Sequence, residues 1–337
     1  MPEPRDGSTS FWREAGSAFA LVFHSPLAIY LLCNLTFVIS LFALFGADVQ
    51  GLAYLHSRQT NLWRMLTALA PTSWILTLVI LFGDFEQNRS AWPRTRGTRM
   101  TVGLCSLLGL PLHGLPVLAQ YIVLKKEPLV AVAIARVMPA SDFYPRLLIA
   151  NLLGLTTTIL IFSGIIGIHT QLIGRMREFR HHAGSTGSGA LDEDVRWYQR
   201  QESLLKRFLT LCAILLGSSI VSAGALRNLL NQAISTSTET LPTAPILGYG
   251  IYCTGLLASA YLPAHNTLKN VGHLLAERML QQSPGPPTTW KQRYEDQQAA
   301  RAWLGLQGSA LQDLQQGLSV LTPLLASISS LILGPGT

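Results

Sequence analysis

Residues 145–170 read PRLLIANLLGLTTTILIFSGIIGIHT, and this stretch decides the class of fold. Apart from Arg146 near its start, it carries no Asp, Glu, Lys or Arg over a length that can cross a membrane, since a helix needs about 20 apolar residues to do so. Other stretches of the chain are similarly apolar. The predicted spans are 18–46, 62–83, 101–124, 145–170, 207–227 and 245–265. The sequence therefore predicts an all-α, polytopic integral membrane protein with about six transmembrane helices.

The composition supports a membrane location. Hydrophobic residues make up 49% of the 337 residues and charged residues only 13%, against roughly 25% charged residues in an ordinary soluble domain. The formal net charge is +7 at neutral pH. Anionic lipid headgroups attract Lys and Arg beside membrane spans, so the lipid bilayer accounts for this surplus. We expect no nucleic-acid partner.

The positions of Lys and Arg predict the orientation of the spans, because basic loops tend to stay in the cytoplasm. With the segment 1–17 inside, most basic residues fall in cytoplasmic segments, including the loop 171–206 and the region 266–337. The transmembrane domain is then 18–265, and both termini are cytoplasmic. We expect the membrane to be the plasma (inner) membrane of a bacterium.

Residues 128–139 form a separate feature on the outer side, between the third and fourth spans. The stretch is apolar and bounded by Pro128 and Pro139, but it is too short to cross the bilayer. Two structures fit this pattern. One is an interfacial helix in the headgroup layer, and the other is a re-entrant helix that dips into the membrane beside a pore.

The C-terminal region 266–337 contains a helix, 304–333, with a heptad pattern. Apolar residues at the a and d positions predict a seam that packs on a partner helix, within the chain or in a second copy. The oligomerisation residues are Leu304, Leu311, Leu314, Leu318, Leu321, Leu325 and Ile328. Pro323 falls away from the seam. We expect a cytoplasmic helix here, with a seventh span at 314–333 as the alternative because its other faces lack charge.

The middles of the predicted spans contain no Asp, Glu, Lys or Arg. Ion-coupled transporters usually carry such groups at membrane depth, and intramembrane proteases need paired carboxylates or a zinc-binding helix. Both classes are therefore disfavoured. The eight His residues show no metal-ligand spacing, and a phosphate-binding loop is not recognisable. We predict no enzyme activity, no catalytic residue, no metal and no cofactor.

Uncharged polar groups do lie within the spans. The candidate pore or gate residues are Pro111, His113, Gly114, Pro116, Gln120, Asn34 and Asn151. In the third span the two prolines and the glycine are predicted to break the helix around His113, since broken helices at membrane depth face protein or a watery cavity. The alternative is ordinary packing, in which prolines only kink the helix and polar side chains bond to neighbouring helices.

A group of basic residues falls on the outer side, against the direction that the topology rule favours. The residues are Arg64, Lys125, Lys126, Arg136 and Arg146. Long basic side chains near span ends commonly reach the headgroups, which explains most such residues. If they instead line a shared mouth, that mouth attracts anions.

Together these features predict a homo-oligomeric channel or pore-like protein that passes small ions or solutes, with a bacterial membrane effector as one biological setting. Two alternatives remain open. One is a membrane-anchored scaffold or sensor that acts through its cytoplasmic C-terminal helices. The other is a facilitator of small neutral or anionic solutes.

Overall fold

The computed structural model of the protein describes residues 25–45, 58–83, 88, 90–92, 95–137, 140–181, 188–234, 240–281, 289–306 and 310–332. Within these ranges the chain forms α-helices and no β-strand. The helices are α1 (Pro26–Phe45), α2 (Arg58–Gly83), α3 (Arg96–Lys126), α4 (Pro128–Val137), α5 (Ala140–His181), α6 (Ser188–Ala233), α7 (Ala244–Gln281), α8 (Trp290–Trp303) and α9 (Ala310–Ile332). The predicted all-α class is confirmed.

Five of these helices contain segments long and apolar enough to cross a membrane. The segments are Thr60–Phe82, Arg96–Lys126, Asp142–Arg180, Leu191–Ala233 and Ala244–Gln281. They overlap the second to the sixth predicted spans. The first predicted span, 18–46, begins outside the described residues, and the apolar part of α1 that is described, Leu27–Phe42, is shorter. The apolar surfaces of these helices suit a protein integrated in a lipid bilayer.

Helix α3 runs without a break through both of its prolines, so the prediction of a broken third span is wrong. A proline removes the hydrogen bond to the carbonyl four residues earlier. For Pro116 that carbonyl belongs to Leu112, and the hydroxyl of Tyr252 on α7 donates to it at 2.8 Å. A neighbouring helix therefore replaces the lost bond, which lets the backbone of α3 stay helical.

Helix α6 is at the centre of the bundle and packs against α2, α4, α5, α7 and α9. Its 46 residues extend about 69 Å at 1.5 Å per residue, more than twice the thickness of a hydrocarbon core. Helices α5 and α7 are similarly long, with 42 and 38 residues. The three helices therefore continue together beyond their apolar parts. We call this extension the stalk; it comprises 171–181, 188–206 and 266–281 together with α8.

Helix α4 packs on the opposite end of the bundle, which we call the α4 end. Val130 and Ile134 are buried against Leu229 at the end of α6. The Arg136 guanidinium donates from Nη1 to the carbonyl of Ala233 at 2.7 Å. The last carbonyls of a helix have no partner within the helix. A short helix thus occupies the segment between the third and fourth spans and caps α6.

Helix α9 packs between α6 and α7. Thr322 lies against Gly217 of α6, and Ser330 lies against Gly224, one heptad further along α6. The Asn228 side chain donates to the backbone carbonyl of Ser330 at 3.1 Å. Since the residue numbers rise together, α9 runs in the same direction as α6. It lies beside the apolar stretch of α6 that was predicted as the fifth span.

The face that α9 turns toward the bundle is made of small and medium-sized residues. The buried positions are Val320, Pro323, Ser327 and Ser330. Pro323 thus lies off the heptad seam, as the register predicts, but on the face that is packed. Small residues let membrane helices approach closely, as Gly224 and Ser330 do here.

The heptad residues of α9 face away from the bundle. The side chains of Leu318, Leu321, Leu325 and Ile328 are 43–47% exposed. Leu304 instead is buried in the main apolar core of the protein. The side chains of Leu311 and Leu314 lie outside the described part of the chain. The seam is therefore free for lipid or for a second copy, and it does not hold α9 to its own bundle.

Candidate solute cavity

A cavity of about 130 Å³ lies among α2, α3, α5, α6 and α7, within the apolar part of the bundle. Its wall is mostly apolar. The apolar lining includes Val117, Leu147, Leu155, Leu215, Leu226 and Leu256. Because such a wall offers no hydrogen bonds, each polar group that lines the cavity needs a partner in the protein, in an enclosed water molecule or in a ligand.

Several of the polar residues singled out from the sequence line this cavity. His113, Pro116 and Gln120 come from α3, and Arg146 and Asn151 come from α5. The two helices pack against each other. The Asn151 amide donates from Nδ2 to Oε1 of Gln120 at 3.3 Å, which joins them across the cavity wall.

The remaining pore or gate candidates do not line the cavity. Asn34 is exposed on α1, where its amide donates to the carbonyl of Tyr30 at 2.8 Å. Pro111 is exposed on α3. Gly114 has open space beside it, with no atom within 4 Å of the position a side chain would take. These residues belong to the outer surface of the bundle.

Only Arg146 among the predicted outer basic residues reaches the cavity. Arg136 caps α6, as described above. Lys125 is exposed and lies 5.5 Å from the centre of the ring of Tyr121, and Lys126 is also exposed. Arg64 is half-buried one residue beyond Trp63, which does line the cavity. A shared basic mouth formed by the five side chains therefore stays a prediction.

Polar atoms from three lining residues have no hydrogen-bond partner within the described residues. They are Trp74 Nε1, His113 Nε2 and Arg146 Nη1. His113 Nδ1 lies 2.8 Å from the carbonyl oxygen of Gly109. Since a carbonyl only accepts, Nδ1 carries the hydrogen, and Nε2 of the neutral ring is an acceptor. The cavity thus offers two donors and one acceptor to an occupant.

Sequence reasoning missed the α2 side of the cavity. Trp63, Thr67, Ala70 and Trp74 line it, and their spacing of four, three and four residues places them on one face of a helix. The hydroxyls of Thr67 and Ser222 lie 3.1 Å apart and join α2 to α6. The repeated spacing of two tryptophans with smaller residues between them is the signal that could have revealed this wall.

Arg146 gives the cavity a positive charge. Among the described residues that line the cavity, it is the only Asp, Glu, Lys or Arg. Its Nη2 lies 3.8 Å from Oδ2 of Asp142, whose side chain is 45% exposed and lies outside the wall. An ion pair at this distance between two partly exposed side chains offsets the charge of Arg146 only weakly. The wall therefore favours an occupant that carries negative charge or accepts hydrogen bonds.

Aromatic side chains pack on the stalk side of the residues of α5 and α6 that line the cavity. The Phe208 ring fills the space beside Gly164, where any side chain would overlap it. Trp92 lies beside Phe208, with ring centroids 5.8 Å apart. The Trp92 indole donates from Nε1 to the hydroxyl of Ser163 at 3.0 Å, which fixes the ring in this position.

The segment between α2 and α3, which carries Trp92, is held by polar side chains. The Gln171 amide donates from Nε2 to the carbonyls of Ser90 and Ala91, at 2.9 and 2.8 Å. Arg207 donates from Nη1 to Oδ1 of Asn88 at 3.3 Å. Side chains of α5 and α6 therefore donate to three acceptors in this segment. These hydrogen bonds hold the segment against the bundle.

The stalk contains a second polar cluster that the sequence did not reveal. Asp194 of α6 forms an ion pair with Arg175 of α5 and lies 3.9 Å from Nη1 of Arg278 on α7. Arg278 also donates from Nη2 to the carbonyl of Phe179 at 2.9 Å. Its guanidinium lies 4.3 Å from the centre of that Phe179 ring. One buried carboxylate thus joins the three long helices.

The described residues contain no group of three or more His, Cys, Asp or Glu side chains that could hold a metal ion. No protein-family model matches the chain, and no curated protein or solved structure is significantly similar to it. The function is therefore inferred from the geometry of the cavity itself.

Proposed function

We propose that the protein is a facilitator that carries a small neutral or anionic solute across a membrane by way of the cavity. The observation that carries this proposal is the set of unpartnered polar atoms of Trp74, His113 and Arg146 in an apolar wall. Protein interiors are normally close-packed, and their buried polar groups are normally bonded. A bundle that served only to anchor the stalk would need neither the cavity nor these groups.

The packing toward the stalk favours a facilitator over an open channel within one protomer. Phe208 precedes the cavity-lining residues of α6 on the stalk side, and Trp92 packs on it with ring centroids 5.8 Å apart. We propose that this packing opens to let a solute pass toward the stalk, so that the site is exposed to one side at a time, as in a carrier. Carriers therefore saturate with solute.

Uptake into proteoliposomes tests this proposal, with labelled glycerol, urea and butyrate as the solutes. We expect saturable uptake of at least one of them. Ala223→Phe should remove most of that uptake, because Ala223 lines the cavity and a ring there fills it. Ala119→Phe is the matched control, because Ala119 is exposed on the outer face of α3.

Two results would contradict the facilitator. One is the absence of saturable uptake of any of the three solutes. The other is an equal loss of uptake in both variants, with both still folded by thermal melting in detergent.

The second candidate is a homo-oligomeric channel formed between copies. It is favoured by the exposed side chains of Leu318, Leu321, Leu325 and Ile328 on α9, which offer an apolar ridge to a second copy. Conductance of the purified protein in planar bilayers would support it, provided that Leu321→Ser and Leu325→Ser reduce both the conductance and the oligomer seen in detergent.

For the orientation, we propose that the stalk is cytoplasmic and the α4 end faces outward, because basic loops remain in the cytoplasm. Since α9 runs parallel to α6 beside its apolar part, α9 is then a further membrane helix, and Ile332 lies on the outer side. This replaces the expectation of a cytoplasmic C-terminal helix. In a variant without native Cys, Ile332→Cys should react with a membrane-impermeant maleimide from outside the cell, and Ala302→Cys in the stalk should not.

A further inference from the structure

We infer that the cavity selects a small monocarboxylate with a short apolar body. The inference rests on the proposed function in one respect, namely that the cavity is a solute site. It adds the chemical class of the solute. The argument uses the charge of the wall, its apolar character and the volume of the cavity.

The charge of the wall favours a monoanion. Within the described part of the chain, Arg146 is the only charged side chain of the wall, and its Nη1 has no partner. A charge in apolar surroundings is costly unless it is paired, and hydrogen bonds between a guanidinium and a carboxylate are among the strongest in proteins. A dianion would bring a second negative charge for which the wall holds no cation.

The rest of the wall favours an organic body over an inorganic ion. Leucines and a valine from four different helices face the cavity, including Val117, Leu147, Leu215 and Leu256. An inorganic ion such as chloride or phosphate would lose its water here and gain nothing from burial against this surface. A short alkyl chain would gain from burial against it.

The volume limits the length of that body. The cavity measures about 130 Å³, and an apolar protein cavity of about 150 Å³ holds a benzene molecule, which has six carbon atoms. Butyrate has the same number of non-hydrogen atoms. Its neutral isostere, butyramide, has the same size but no charge, and its NH2 group can donate to His113 Nε2. The comparison therefore measures the net preference of the wall for a carboxylate, and Arg146→Gln isolates the contribution of Arg146.

Calorimetric titration of the full chain in lipid nanodiscs tests this inference, with sodium butyrate, butyramide and disodium succinate as the probes. We expect butyrate to bind about tenfold more tightly than butyramide, which is the usual effect of one charged hydrogen bond. Succinate should bind more weakly than butyrate. Arg146→Gln should lower the affinity for butyrate to that for butyramide, and Arg146→Lys should retain part of the difference.

Lys126→Gln is the control variant. Lys126 is basic and exposed at the same end of the molecule, but it does not line the cavity, so butyrate affinity should stay the same. Thermal melting in the same nanodiscs shows whether each variant is folded. If Arg146→Gln is not folded, the comparison of butyrate with butyramide on the unsubstituted protein still shows whether the cavity prefers a carboxylate.

The inference is overturned if butyramide binds as tightly as butyrate, if butyrate does not bind, or if Lys126→Gln weakens butyrate as much as Arg146→Gln does. The proposed function fails separately. Butyrate binding in nanodiscs without saturable uptake in proteoliposomes would refute the facilitator and leave the carboxylate site. Saturable uptake of glycerol or urea with no preference for butyrate would refute the carboxylate site and leave the facilitator.

Discussion

The ion-pair cluster of the stalk and the cavity wall both hold polar side chains away from solvent, but they differ in how these side chains are paired. The Asp194 side chain is 4% exposed and contacts arginines from two other helices. Trp74 in the cavity is also 4% exposed, yet its indole nitrogen has no partner within the described residues. Asp194 and Trp74 are therefore similarly buried, but only the side chain of Asp194 is paired. Elsewhere in the stalk, the buried amide of Gln201 also has no partner within the described residues.

This difference separates stability from binding. A paired buried group holds helices in one arrangement, and its loss leaves the partner uncompensated. An unpaired donor contributes little to stability, and it gains its hydrogen bond only when a ligand arrives. Substitutions in the stalk should therefore lower the free energy of unfolding, while substitutions in the cavity should mainly change binding.

The largest expected effect is at Asp194. Asp194→Asn removes the carboxylate between Arg175 and Arg278 and should lower the free energy of unfolding by about 3–5 kcal/mol. Denaturation in mixed detergent micelles measures this quantity. Asp192→Asn is the control, because Asp192 is exposed two residues earlier on the same helix, and its effect should stay within about 0.5 kcal/mol. Equal losses would show that the buried ion pairs are not what holds the stalk.

The next largest difference in unfolding free energy should appear between Arg278→Lys in the stalk and Arg146→Lys in the cavity. Arg278→Lys keeps the charge but loses the planar contacts with the carbonyl and ring of Phe179, and should cost about 1–3 kcal/mol of unfolding free energy. Arg146→Lys in the cavity should cost less than about 0.5 kcal/mol. The same denaturation experiment compares them. If Arg146→Lys lowered the unfolding free energy more than Arg278→Lys, the Arg146 side chain would have a structural partner in the cavity.

Two tryptophans provide a smaller test. Trp92→Phe removes a hydrogen bond of 3.0 Å to Ser163 and should cost about 1 kcal/mol more than Trp74→Phe, which removes an unpartnered donor. Trp74 is buried and Trp92 only partly buried, so the two variants lose different amounts of buried ring surface. Combining each variant with Ser163→Ala isolates the hydrogen bond of Trp92 from this difference. No difference between the two variants would mean that the indole of Trp74 is satisfied in the folded protein.

The smallest expected change in unfolding free energy is at Glu178, the exposed partner of Arg175. Glu178 pairs with it at 2.6 Å, but the Glu178 side chain is 58% exposed. Glu178→Gln should lower the unfolding free energy by about 0.2–1 kcal/mol, and 1 M salt should abolish most of that difference. The effect of Asp194→Asn should persist in salt, because that pair is buried. Salt dependence thus separates exposed from buried pairs within one cluster.

Much of the bundle could be predicted because apolar length is a local property of the chain. The segment Asp142–Arg180 contains the stretch 145–170, and the other long apolar helices overlap their predicted spans in the same way. His113, Gln120 and Asn151 could also be singled out, because polar side chains stand out in an apolar segment. Trp74 could not, because a tryptophan in a span is unremarkable until its nitrogen is seen to lack a partner.

The C-terminal helix shows where local pattern stops being sufficient. The heptad spacing places Leu318 and Leu325 on one face of the helix and Pro323 on another. Which face is buried depends on the surroundings: leucines turn inward in water, whereas small residues turn inward where lipid covers the leucines. The contacts of Ser327 and Ser330 with α6 and α7 decide this, and they join residues far apart in the chain.

The sequence by itself determined that the chain is helical and rich in membrane-length segments, because a backbone in an apolar medium must satisfy its hydrogen bonds within each segment. Only the tertiary structure decided which polar groups are paired. It brings Asp194 to Arg175 and Arg278, and it leaves Trp74 and Arg146 facing a cavity. The physical reason is that side-chain pairing joins different helices, so their packing decides it and the spacing along one segment does not.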